Sequence, residues 1–65
     1  MKLNTLKLKK ILDSRDLNQS WLADQLLIHR ATVSAWMQNP EKAKLKTIAD
    51  IANALDIDPK ELIGY

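Results

Sequence analysis

The sequence predicts a small all-α domain of five helices, and three observations support this fold class. Apolar residues recur at helical spacing in several segments, capping residues precede those segments, and no segment shows the apolar–polar alternation of a β-strand. The 65 residues allow one domain, which we take as residues 1–65. Because the chain has no cysteine, its stability must come from helix packing or from dimerisation.

The first two helices are predicted from caps and apolar stripes near the N-terminus. The first begins at Asn4 or Thr5, either of which can cap it, and runs to about Arg15. The second spans Gln19–Leu26 and has Asn18 as its cap. Only three residues then separate the second helix from the third, so these two helices are expected to form a tightly connected pair.

The third and fourth helices follow the same apolar spacing. The third spans Arg30–Gln38 and ends before Asn39-Pro40, because a residue before proline is pushed out of the helical region. The fourth runs from about Lys44 to Leu55. Its predicted buried stripe comprises Leu45, Ile48, Ile51, Ala52 and Leu55. A short fifth helix is predicted to begin at Asp58-Pro59-Lys60-Glu61, which supplies a cap, a proline and a glutamate in favourable positions.

The segment from Gln19 to Trp36 resembles the helix-turn-helix of phage repressors, Cro proteins and the wider Xre-type regulators. The matching residues are Gln19, Leu22, Ala23, Leu26, Ile28, Val33, Ser34 and Trp36. The resemblance extends from about Leu8 to Ile63, and it implies a compact repressor-like fold with the helix-turn-helix at helices 2 and 3. It also implies sequence-specific binding of double-stranded DNA by a nucleoid-associated transcriptional regulator that acts as a homodimer.

The outer face of the third helix is short, small and polar, which suits the floor of a DNA major groove. The candidates for contacts with base edges, on which the resemblance agrees, are His29, Arg30, Ala31, Ser34 and Ala35. Among them, Arg30 can bond a guanine through O6 and N7. The candidates for contacts with phosphates are Gln19, Gln38, Asn39, Lys42 and Lys44.

Several positions depart from the family pattern. Asp16 and Leu27 stand where the family commonly has glycine, and His29 stands where Ser or Thr normally caps the recognition helix. If Leu27 has a positive φ, that conformation costs on the order of 1 kcal/mol. In many relatives the positions of Leu12 and Met37 hold an Arg and a Glu that form a partly buried ion pair, whereas here both are apolar. We predict that these two side chains touch and fix the first helix against the third.

Charges are unevenly distributed along the chain. Residues 1–46 contain nine Lys and Arg against four Asp and Glu, a net charge of +5, whereas residues 47–65 contain one Lys against four acidic residues, a net charge of −3. On its own, a solvated surface explains such scattered charge equally well. Together with the resemblance, the asymmetry predicts a basic side that faces DNA and an acidic side that faces away.

Catalytic and metal chemistry have little support in the sequence. The chain has one His, no Cys and a single Gly, so it offers no clustered metal ligands and no glycine-rich phosphate loop. We therefore expect no enzyme activity, no catalytic residues, no metal site and no cofactor. No segment approaches the roughly 18 apolar residues of a membrane span and no signal peptide is visible, so a cytoplasmic protein without membrane contact is expected.

Two other classes of function stay open at this point. An antitoxin-like protein-interaction module would share the fold, and Trp21 together with Leu62-Ile63-Tyr65 could bind its partner. Packing at the rim of the core explains Trp21 more readily than a partner does. A basic amphipathic helix from residues 2–12 could instead lie on a membrane, although a solvated face explains its lysines better.

Overall fold

Four α-helices dominate the computed structural model, which describes residues 2–64. Their ends differ from the predicted ends by at most one residue. In chain order the helices are α1 (Thr5–Ser14), α2 (Gln19–Leu26), α3 (Arg30–Gln38) and α4 (Leu45–Leu55). Among the described residues, no helix combines the length and the apolar composition that crossing a bilayer requires.

The predicted fifth helix is wrong, because Pro59–Leu62 forms only a 3₁₀ turn. The carboxylate of Asp58 accepts a hydrogen bond of 2.9 Å from the backbone N–H of Lys60. The chain then straightens at Ile63 into an extended strand, so too few residues are left to close α-helical hydrogen bonds. A second 3₁₀ turn, Pro40–Lys42, lies in the connection between α3 and α4.

The expectation of no β-structure is also wrong, because the two ends of the chain pair with each other. Strands β1 (Lys2–Leu3) and β2 (Ile63–Gly64) are antiparallel, with Leu3 opposite Ile63. The backbone N–H of Asn4 extends this pairing by donating to the carbonyl oxygen of Leu62 at 2.7 Å. Strands of two residues are too short to show an apolar–polar alternation, which explains why the sequence pattern did not predict them.

The core is entirely apolar in the part of the chain that the structure describes. Its buried residues are Leu3, Leu8, Leu12, Leu22, Ala23, Val33, Ala43, Ile48, Ile51, Ala52, Leu55 and Leu62. The predicted stripe of α4 is confirmed except at Leu45, which is 55% exposed. Leu45 is the first residue of α4, so no earlier turn of that helix shields it.

The polar contacts at the helix ends match the predicted caps in α1 and α2. The side chain of Asn4 accepts from the backbone N–H of Lys7 at 3.1 Å, and that of Asn18 accepts from Trp21 at 2.8 Å. Such caps satisfy backbone donors that a helix leaves without a partner. At the other side of the fold, Arg15 donates through Nη1 to the carbonyl oxygen of Leu55 at 2.6 Å, which joins the end of α1 to the end of α4.

Candidate nucleic-acid interface

The turn between α2 and α3 is set by backbone hydrogen bonds that end α2 abruptly. Leu27 adopts the left-handed conformation, with φ 57° and ψ 43°. Its N–H donates to the carbonyl oxygen of Asp24 at 3.3 Å, and the N–H of Ile28 donates to that of Ala23 at 3.0 Å. A left-handed residue after the last helical turn reverses the chain within a few residues. This turn therefore places α3 against α2, and the two helices form a helix-turn-helix.

One face of α3 is packed and the other is open. Val33 is completely buried, and Trp36 and Met37 are half-buried against the core. Because these three residues recur at helical spacing, the opposite face projects away from the core. Ala23 of α2 is buried, and its small side chain allows two helices to approach closely.

The predicted base-contacting residues all lie on α3 or at its cap. His29, Arg30 and Ala31 are exposed, whereas Ser34 and Ala35 are partly covered. His29 occupies the N-cap position, yet its side chain makes no capping hydrogen bond. The open end of α3 thus carries an imidazole and a guanidinium group beside a single methyl group.

The predicted phosphate-contacting residues fall in two places. Gln19 is the first residue of α2 and is half-buried. The other four follow one another through the end of α3 and the connection to α4, and all of them are exposed: Gln38, Asn39, Lys42 and Lys44. Two neutral hydrogen-bonding side chains and two cations therefore lie close together in the chain from the end of α3 to the start of α4, and side chains of these types can contact phosphates.

A family model of the Cro/C1-type helix-turn-helix DNA-binding domain matches residues 7–65. The chain belongs to this family. A similar crystal structure is that of a Bacteroides fragilis protein inferred to bind DNA, with 31% sequence identity and a TM-score of 0.76. The similarity covers 98% of this Cro/C1-type chain and 100% of the Bacteroides fragilis chain. No curated protein matches the sequence.

A groove of about 410 Å³ adds one residue that the sequence did not single out as a site residue. Lys9 of α1 borders this groove together with Asn18 and Gln19 at the start of α2. A cation therefore borders the same groove as the predicted phosphate contact of this Cro/C1-type domain. The sequence shows that Lys9 is on the polar side of α1, but the packing of α1 against α2 is needed to place it near Gln19.

The same groove brings together the two positions where the family commonly has an ion pair. Leu12, which is only 3% exposed, and Met37 both border it. No buried polar side chain accompanies them among residues 2–64. An apolar pair at this place avoids the cost of burying two charges, and their direct contact stays a prediction.

Proposed function

We propose that residues 1–65 form a single Cro/C1-type domain that binds double-stranded DNA sequence-specifically, with α3 in the major groove. The observation that carries this proposal is the exposed N-terminal end of α3, where His29 at the cap and Arg30 in the first turn precede the buried Val33. Side chains on such a helix can reach base edges while the neighbouring backbone and loops contact phosphates. The domain acts as a repressor-like transcriptional regulator in the cytoplasm, associated with the nucleoid.

Base readout is assigned to His29, Arg30, Ala31, Ser34 and Ala35. Arg30 donates two hydrogen bonds to a guanine, which is worth about 1–3 kcal/mol of discrimination against other bases. Ala31 and Ala35 offer only methyl groups, which suit the 5-methyl group of thymine. Because this surface carries few hydrogen-bonding groups, DNA shape contributes to the choice of site.

Phosphate contacts are assigned to Gln19 at the start of α2 and to Gln38, Asn39, Lys42 and Lys44 after α3. These contacts fix the orientation of the domain on the duplex and carry no direct sequence information. The acidic residues concentrate in residues 47–65, where the net charge is −3. The basic part of the chain is thus the part that faces the duplex.

The proposed active form is a homodimer on a two-fold symmetric operator. Two copies of a helix-turn-helix domain present their recognition helices to half-sites about 34 Å apart, which is one turn of B-DNA. Twofold contacts also raise affinity beyond what the small surface of a single domain supplies.

In vitro selection from random duplex DNA, followed by footprinting, tests this proposal. The expected result is an enriched, inverted-repeat sequence with half-site centres about one helical turn apart. Enrichment of a single half-site without an inverted copy would contradict the proposed homodimer, while the proposed DNA binding would stand. Recovery of no sequence preference at physiological salt, where non-specific phosphate binding is weakened, would overturn sequence-specific recognition itself.

The alternative of a protein-interaction module has weaker support from the described residues. Leu62 is completely buried, and Trp21 is half-buried against the core. Ile63 pairs with Leu3 in the terminal strands. Tyr65, the remaining residue of that prediction, lies outside the described residues. We therefore favour DNA as the partner.

A further inference from the structure

Leu27 combines two properties that are rarely found together in a leucine. It has a φ of 57°, and the residue is 92% exposed. Among residues 2–64, two other non-glycine residues share this backbone conformation, Asp16 and Asp56. Aspartate tolerates the left-handed region because its short polar side chain can bond locally, whereas a leucine side chain has no such compensation. Leu27 is therefore the unexpected member of the three.

The folded domain gains nothing from a leucine at this position. A left-handed backbone brings Cβ close to the following carbonyl oxygen, which disfavours every residue except glycine. Burial of the side chain would offset that cost, but Leu27 is more exposed than any other large hydrophobic residue described. A residue that breaks a local rule without a packing gain points to a role outside the fold.

The position of Leu27 indicates what that role is. It lies three residues before Arg30, the first residue of α3, so their Cα atoms are at most about 11 Å apart. It is followed by Ile28 and then by the exposed His29. Leu27 is thus an exposed apolar residue close in the chain to the end of α3 that we assign to the major groove.

We propose that Leu27 contacts the 5-methyl group of a thymine next to the base pair read by Arg30. This inference rests on the proposed function, because it requires α3 to lie in the major groove. Thymine is the one base that presents a methyl group there, and apolar side chains recognise it. Leu27 would extend the apolar part of the reading surface that Ala31 and Ala35 begin.

A second copy of the chain fits this side chain less well than DNA does. The residues around Leu27 that are also exposed are polar or charged: Asp24, Gln25, His29 and Arg30. The other exposed large hydrophobic residues described, Leu6 and Leu45, belong to α1 and α4. A protein interface needs an apolar centre built from several residues, whereas a thymine methyl contact needs only one.

Replacing thymine by uracil in the selected operator tests the inference, because the change removes only the 5-methyl group. Each thymine is replaced in turn, and the affinities of the wild-type protein and of Leu27→Gly are measured. We expect the wild type to bind about 4-fold more weakly when the thymine beside the arginine-read pair is replaced, the effect of one methyl group. Leu27→Gly should be insensitive to that replacement and should bind the unmodified operator about 4- to 10-fold more weakly.

Two further measurements separate this effect from damage to the fold. Thermal unfolding of Leu27→Gly should show unchanged or increased stability, so that weaker binding cannot be ascribed to misfolding. The matched control is Asp56→Gly, which makes the same backbone change at the end of α4, where φ is also 57°. Its uracil profile should equal that of the wild type.

The possible failures are distinct. If the wild type binds a selected operator but tolerates uracil at every position, the inference about Leu27 is wrong and the proposed function stands. The same holds if Leu27→Gly changes self-association and leaves the uracil profile intact, since Leu27 would then contact a second copy. If the wild type selects no sequence at all, the proposed function itself fails.

Discussion

Arg30 is the first residue of α3 and is exposed, and we propose that it contacts a base edge. We expect Arg30→Ala to weaken binding to the selected operator by about 1–3 kcal/mol, while binding to unrelated duplexes falls much less. The measurement is a pair of binding titrations, one on each DNA. Arg30→Lys is the matched control, because it keeps the charge but cannot bond guanine through a planar fork.

The two titrations show whether Arg30 contacts a DNA base or a DNA phosphate. A base contact predicts that Arg30→Lys loses specificity almost as Arg30→Ala does. Equal losses on both DNAs for Arg30→Ala, with rescue by Arg30→Lys, would make Arg30 a phosphate contact.

Leu27 carries a second prediction at the residue scale, which concerns the stability of the free protein. Leu27→Gly is expected to be neutral or to stabilise the domain by up to about 1 kcal/mol, because it relieves the left-handed strain. The greater flexibility of glycine in the unfolded chain offsets part of that gain, and the 92% exposure means that little burial is lost. Chemical denaturation measures the difference. A loss above roughly 1.5 kcal/mol would show that Leu27 packs against the core in solution.

At the scale of the elements, Leu12 of α1 and Met37 of α3 border the same groove. We predict that these side chains lie within about 4.5 Å of each other, and that Leu12→Ala destabilises the domain by about 2–4 kcal/mol. DNA binding should weaken as well, because the predicted contact would set the angle at which α3 is presented. Unfolding and binding titrations of the variant check both effects.

A double-mutant cycle tests the coupling between the two positions. Leu12→Arg alone leaves a charge at a site that is only 3% exposed, so it should be worse than Leu12→Arg combined with Met37→Glu, which supplies a partner. The matched comparison is Met37→Glu alone. Additive effects of the two substitutions on the free energy of unfolding would disprove the contact.

The elements also show where prediction from sequence succeeds and where it stops. The four α-helices follow from apolar spacing and from local caps such as Asn4 and Asn18, because both signals lie within a few residues of each other. Strands β1 and β2 were missed because their pairing joins opposite ends of the chain and each strand has only two residues. The predicted fifth helix had the right cap at Asp58, but that cap begins a 3₁₀ turn equally well.

For the candidate site, the sequence predicts which face of each helix is buried, but not how the helices pack against one another. The buried face of α3 follows from the helical spacing of Val33 and its neighbours, whereas Arg30 and His29 are exposed at the start of that helix. The position of Lys9 beside Gln19 depends on how α1 packs against α2, and a helical pattern does not contain that information. The left-handed turn at Leu27 was predictable only as the consequence of the family resemblance.

At the scale of the whole molecule, the charge distribution predicts how binding responds to salt. Lys42 and Lys44 are exposed in the connection after α3. Replacing either by Ala should weaken binding to all sequences and reduce the slope of log K against log salt by up to about one unit per lost phosphate contact. The measurement is a series of affinities at increasing salt on the operator and on an unrelated duplex.

Lys60 provides the control for that series, because it is an exposed lysine in the acidic part of the chain. Lys60→Ala makes the same change in net charge and should leave the slope unchanged. If Lys42→Ala and Lys44→Ala also leave the slope unchanged, these two residues do not contact phosphates.

The pairing of Lys2 with Gly64 has a practical consequence for anyone who attaches something to this domain. The two ends of the described chain are adjacent, so two reporter proteins fused to them would lie close to each other. The same proximity makes the domain suitable for head-to-tail ring closure through a short peptide linker. Such a ring restricts the unfolded chain while leaving the folded ends where they already are, and new ends could then be opened in an exposed loop.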